Sequence, residues 1–115
     1  MSDGADPVLE IAMLRIRDGL MPSFEESFRE AQTIIASMPG YVSHELVRCV
    51  EFEDRYVLLV KWASVEAHEV GFRGSSAYQR WKALLHHYYD PFPEVLHYEA
   101  VSGASSGTGR APGGA

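Results

Sequence analysis

From Val8 to Arg17 the chain carries apolar side chains on both faces of an extended segment, with Val8, Ala12, Leu14 and Ile16 in one phase and Leu9, Ile11 and Met13 in the other. Such a strand needs cover on two sides. Pro22 then stands where a first helical turn tolerates it, and Phe24, Phe28, Ala31, Ile35 and Met38 recur every three or four residues up to Pro39-Gly40. That stripe predicts an amphipathic helix. Tyr41–Phe52 alternates Val42, His44, Leu46, Arg48, Val50 and Phe52 against a mixed face, and Glu53-Asp54 leads into Tyr56–Trp62. The two segments predict an antiparallel hairpin.

Ser64 is placed to cap a short helix containing Ala67 and ending near Gly71, and Ser75 or Ser76 to cap the next. This second main helix carries Tyr78, Trp81, Leu85 and Tyr88 on one stripe and stops at Asp90-Pro91. Asp90-Pro91-Phe92-Pro93 sets a turn, and alternation over Val95–Val101 predicts a last strand. The order β-α-β-β-α-β is that of a ferredoxin-like α+β fold, an antiparallel sheet with both helices on one face. Its other face is apolar too and has no cover within the chain. A second copy is the economical cover, so a homodimer with facing sheets is expected.

A length of 115 residues with 46% apolar content suits one domain, expected over 8–101, with 1–7 and the Gly/Ser/Ala-rich 102–115 as flexible tails. The net charge of −6 and scattered Lys and Arg disfavour nucleic acid. No apolar run is long enough for a membrane span, and the opening MSDGADP lacks the basic start and apolar middle of a signal peptide, so the expected location is the cytoplasm. Cys49 is the only cysteine, which excludes an intrachain disulfide and reads as a small strand residue.

Trp62, His68, Phe72, Tyr78, Trp81, His86 and Tyr88 cluster between Val57 and Tyr98, bulky groups able to close over a flat apolar ligand with few polar contacts. Together with KWASVEAHEVGFRGS, Lys61 to Ser75, they resemble the antibiotic biosynthesis monooxygenase family over about residues 8–101. The resemblance implies a dimeric α+β barrel. It also implies oxidation of a small phenolic or polycyclic aromatic substrate by O2 without flavin or metal, through a deprotonated phenol that passes an electron to O2. Trp62 stands where members carry a pocket tryptophan, His68 where some carry a tyrosine, and Lys82 where some carry an arginine. An asparagine used on the third strand is Leu58 here. In the haem-degrading branch Trp62 again matches, the axial histidine position falls at Lys82, and the first-strand asparagine falls near Ala12. His86, one turn on, is the alternative ligand.

His68, Trp62 and Lys82 are therefore the expected catalytic set, as proton acceptor, pocket wall and anion stabiliser. Phe72, Tyr78, Trp81 and His86 are the expected substrate contacts. A histidine titrates near neutral pH and can accept a phenolic proton. Each residue also has a plainer reading: His68 as a solvated helix residue, Trp62 as core, Lys82 as a surface lysine, the aromatic stripe as packing. Adjacent His86 and His87 point about 100° apart on a helix, so one faces inward and they cannot share a metal. His44 and His97 lie on strands that could converge, without a metal-ligand spacing, and no metal site is expected. The alternatives to an oxygenase are a non-catalytic dimer binding a hydrophobic metabolite, a haem-binding or haem-degrading protein, and a polyketide cyclase.

Overall fold

The computed structural model describes residues 7–107. The expected leader, apart from Pro7, and the tail from 108 onward lie outside the described residues. The elements are β1 (Val8–Arg15), α1 (Met21–Ala36), β2 (Tyr41–Arg48), β3 (Arg55–Trp62), a π-helical turn (Ala67–Phe72), α2 (Ser76–Leu85), a 3-10 turn (His86–Tyr88) and β4 (Val95–Tyr98). All pairings are antiparallel and the strand order is β2-β3-β1-β4. The expected ferredoxin-like α+β topology is what the chain adopts. The last strand is shorter than Val95–Val101, and the hairpin's first strand ends at Arg48, where Cys49–Asp54 form the connection.

Alternation sorts the sheet into two faces. Ala12, Leu14 and Ile16 from the first strand segment and Tyr56, Leu58, Val60 and Trp62 from β3 point to the helices and are buried. On α1, Phe24, Phe28, Ala31 and Ile35 meet them, the stripe read from the sequence. On the α2 segment Trp81, Leu85 and Tyr88 complete the layer. The opposite face carries Ile11, Met13, Val57, Leu59 and Leu96, with Met13 71% exposed.

Two local features shape the edge of the sheet and the approach of the π-helical turn. A bulge at Val42 places both Tyr41 and His44 on the helix side of β2, which leaves Val42 exposed rather than in phase with His44. Gly40 takes φ +85°, and a Cβ there would stand 2.5 Å from the Ala67 Cβ. Only glycine permits that turn and the close approach of the π-helical turn to the end of α1.

Candidate functional site

The connection from β3 to α2 builds one wall of the site. Ser64 Oγ accepts the Ala67 backbone N–H at 3.1 Å, starting the turn, and the Arg73 N–H donates to the His68 carbonyl, five residues back, at 3.0 Å. This wider winding is uncommon and recurs at functional sites. It carries His68 and Phe72 inward, to 3% and 1% exposure. Ser75, of the two capping candidates, caps α2 by accepting the Tyr78 N–H at 3.2 Å.

Between the sheet and this wall lies a cavity of about 360 Å3. That is at the small end of the range for small-molecule sites. All four expected substrate contacts, Phe72, Tyr78, Trp81 and His86, line it, as does His68. Trp62 is fully buried behind His68, its indole stacked on the imidazole at 5.3 Å and 23°. It supports the wall and makes a polar contact of its own: Nε1–H donates to Glu10 Oε1 at 2.8 Å. Lys82 is exposed on α2, away from the cavity lining, and Arg73 is the cation at the cavity instead. Lys82 points away because it sits about 100° around α2 from Trp81, and the face toward the sheet is taken by Trp81 and Leu85.

Glu10 is the residue sequence reasoning passes over. Only 5% exposed, it lines the cavity from β1. Its phase with Ala12, Leu14 and Ile16 is the available signal, since a carboxylate in an otherwise apolar inward set needs partners. Cross-strand register supplies one, Trp62, and the π-helical turn supplies the other, His68. Glu10 lies opposite His97 on β4, and Trp62 is a diagonal neighbour on β3, opposite Val8. His68 Nε2 approaches Glu10 Oε1 to 3.5 Å, and His68 Nδ1 lies 2.8 Å from His97 Nε2.

Burial governs the charges. It raises the Glu10 carboxyl above its ordinary value, against the Trp62 hydrogen bond and the Arg73 charge, which favour the carboxylate. Burial, then the Arg73 and His97 charges, pushes His68 down to about 3, so its imidazole is neutral at neutral pH. His86 is lowered to about 4 by burial and by Lys82 and Arg73. Burial, with the Glu10 charge, holds the Tyr89 phenol on the cavity wall neutral. The other histidines separate as their positions dictate. His87 is exposed, and His44 bonds Tyr41 and Gln32 at the far edge of the sheet. Because β2 and β4 are opposite edge strands, His44 and His97 do not converge. Among the described residues no group of three or more His, Cys, Asp or Glu side chains is placed to hold a metal ion, and no helix is long and apolar enough to cross a membrane.

The arrangement offers an aromatic-walled hollow with a carboxyl–imidazole pair and one guanidinium at its edge. It can bind a flat apolar molecule and move a proton from a hydroxyl or an activated C–H group.

Known proteins share both sequence and shape. YczJ of Bacillus subtilis, an uncharacterized protein, is 53% identical over 94 residues, 82% of this chain and 99% of its own length. A mycobilin-producing heme oxygenase of Mycobacterium tuberculosis is 29% identical over 68 residues, 59% of this chain and 65% of that protein. A candidate antibiotic biosynthesis monooxygenase from Bordetella bronchiseptica superposes with a TM-score of 0.81 at 30% identity, covering 84% of this chain and 99% of that one. SnoaB, a cofactor-independent oxygenase from Streptomyces nogalater, gives 0.76 at 20% identity over 89% of this chain and all of its own, a likeness of fold. The family model for antibiotic biosynthesis monooxygenases matches residues 7–84, spanning β1 through most of α2, and the chain belongs to that family.

Proposed function

We propose that the protein is a cofactor-independent monooxygenase that uses O2 to oxidise a small phenolic or polycyclic aromatic substrate. The buried Glu10–His68 pair at the edge of an aromatic cavity carries this reading. Phe72, Tyr78, Trp81 and His86 hold the ring system. His68 and Glu10 together take the substrate proton, and Trp62 fixes the carboxyl through its indole N–H. The role assigned to Lys82 passes to Arg73, whose charge faces the anion that forms. The anion passes an electron to O2, the resulting pair combines to a peroxide, and loss of water leaves a carbonyl. One oxygen atom ends in product and one in water. A CH2 group going to C=O supplies all four electrons, so no external reductant is required.

Two copies packed sheet to sheet complete the working unit. Met13, Leu96 and Tyr98, all exposed on the face away from the helices, together with Ile11 and Leu59 form the apolar surface that a twin would cover. Sedimentation equilibrium should return the dimer mass, and Met13→Glu should shift it toward monomer.

Anthrone or a hydroquinone with the purified protein should accelerate O2 uptake, and His68→Ala should slow it roughly a hundredfold or more, the scale of losing a general base. Thermal stabilisation by these compounds without O2 uptake would instead make the protein a binding module. A second reading keeps haem as substrate or ligand, favoured by the mycobacterial relative and by the neutral His86 imidazole facing the cavity. His86 would hold the iron, which would supply oxygen activation. A Soret shift on haemin titration that is lost in His86→Ala supports it, and no shift at stoichiometric haemin excludes tight binding.

A further inference from the structure

Glu10, His68, His97 and Glu69 form a line of titratable side chains from the cavity to the surface. His68 Nε2 is 3.5 Å from Glu10 Oε1, its Nδ1 is 2.8 Å from His97 Nε2, and His97 Nδ1 is 3.9 Å from Glu69 Oε2. Glu10 and His68 are both buried, at 7% and 3% side-chain exposure, and from His68 outward exposure rises through 15% for His97 to 50% for Glu69. Three elements far apart in sequence contribute: β1, the π-helical turn and β4. Each imidazole turns one nitrogen toward each neighbour. A ring so placed can take a proton on one nitrogen and release another from the opposite one. The central contact is a hydrogen bond at 2.8 Å, the flanking approaches at 3.5 and 3.9 Å are of ion-pair length, and the line they make ends at solvent.

We propose that His97 is the positioning residue through which the Glu10 carboxyl exchanges protons with solvent, by a relay running Glu10–His68–His97–Glu69. Its use in turnover rests on the oxygenase reading; its existence does not. In the outward pass the Glu10 O–H bond breaks as His68 Nε2–H forms, and His68 Nδ1–H breaks as His97 Nε2–H forms. Glu10 is left as a carboxylate, and the positive charge sits on His97 beside Glu69 and water. The two transfers are coupled, because an imidazolium on His68 is disfavoured by its burial and by Arg73, which faces the same end of the line. The return pass reverses both. Oxygenation removes a proton from the substrate and needs one back when the peroxide loses water, so the two passes cancel and neither ring has to reorient between turnovers.

His97→Gln keeps a hydrogen-bond partner for His68 but cannot pass a proton on, and His97→Phe fills the same space without either. The exchange of the His68 imidazole N–H with water, followed by 15N NMR on folded protein, should slow at least tenfold in both variants. A purely structural His97 would leave exchange unchanged or, by loosening the cover, make it faster, and either result in both variants overturns the relay. With anthrone as substrate, kcat should fall about tenfold in both with KM unchanged, and added imidazole should restore turnover to His97→Ala in proportion to its concentration. If the wild-type protein consumes no O2, the oxygenase reading fails and the exchange rates still decide the relay. If Glu10→Gln abolishes turnover while both His97 variants match wild type in kcat and exchange, the relay is refuted and the oxygenase reading stands.

Discussion

Replacing His68 with glutamine should make the protein less sensitive to acid. In the folded chain His68 is held neutral, its pKa pushed down to about 3 by burial and the neighbouring Arg73 and His97 charges, against 6.5 for the ordinary side chain. A group depressed in this way contributes stability above the unfolded pKa, and that stability is lost as pH falls, because the unfolded chain binds a proton the folded one refuses. Between pH 7 and pH 5 the unfolded side chain becomes almost fully protonated while the folded one stays neutral, an ideal loss of about 2 kcal/mol. Solvent screening through the cavity mouth reduces this to about 1–2 kcal/mol. Glu10 acts in the opposite sense. Its raised carboxyl takes up a proton in the folded state first as pH falls, which offsets part of the loss in both proteins. Urea titrations at pH 7 and pH 5, with the slope checked for constancy, give the two free energies for each protein. The wild type should lose about 1–2 kcal/mol more than His68→Gln over this interval. Equal losses would refute the claim that burial keeps His68 uncharged.

Other substitutions test the geometry directly. Trp62→Phe retains most of the ring packing but removes the 2.8 Å N–H donor to Glu10, so it should cost about 1–3 kcal/mol in urea unfolding, whereas a loss below about 0.5 kcal/mol would mean the carboxyl finds another partner. Gly40→Ala combines a left-handed backbone with a 2.5 Å approach to Ala67, and a loss of about 2–5 kcal/mol is expected by thermal or urea melts. Lys82→Ala, on the exposed face of α2, should change stability by less than about 0.5 kcal/mol and leave turnover as it was. Arg73→Ala should raise KM or lower kcat in the O2-uptake assay, and the reverse ranking of the two cations would restore Lys82 to the site.

Much of the site is legible in the sequence because its wall is local. Phe72, Tyr78, Trp81 and His86 lie on one turn and the helix segment after it, and their helical spacing alone aims them at one side. His68 shares that segment. Lys82 enters the expected set by correspondence with relatives rather than by phase, and next to Trp81 on a helix whose buried face Trp81 defines, it falls outside. Trp62, expected as wall, stands one layer behind it and donates to a partner that no local pattern announces.

What the sequence alone determines here is most of what depends on short-range periodicity: the helix phases, the phases of the strands other than β2, whose bulge breaks the alternation, the split βαβ order and the apolar outer sheet face. Register and strand order belong to the tertiary structure, since they depend on which distant segments pack together. Only that packing sets Glu10 opposite His97, lays His68 between them and moves His44 to the far edge. A lone acid in a strand and two histidines nearly thirty residues apart carry no periodic signal. They become one chemical unit only when burial removes the water that would otherwise solvate each of them separately.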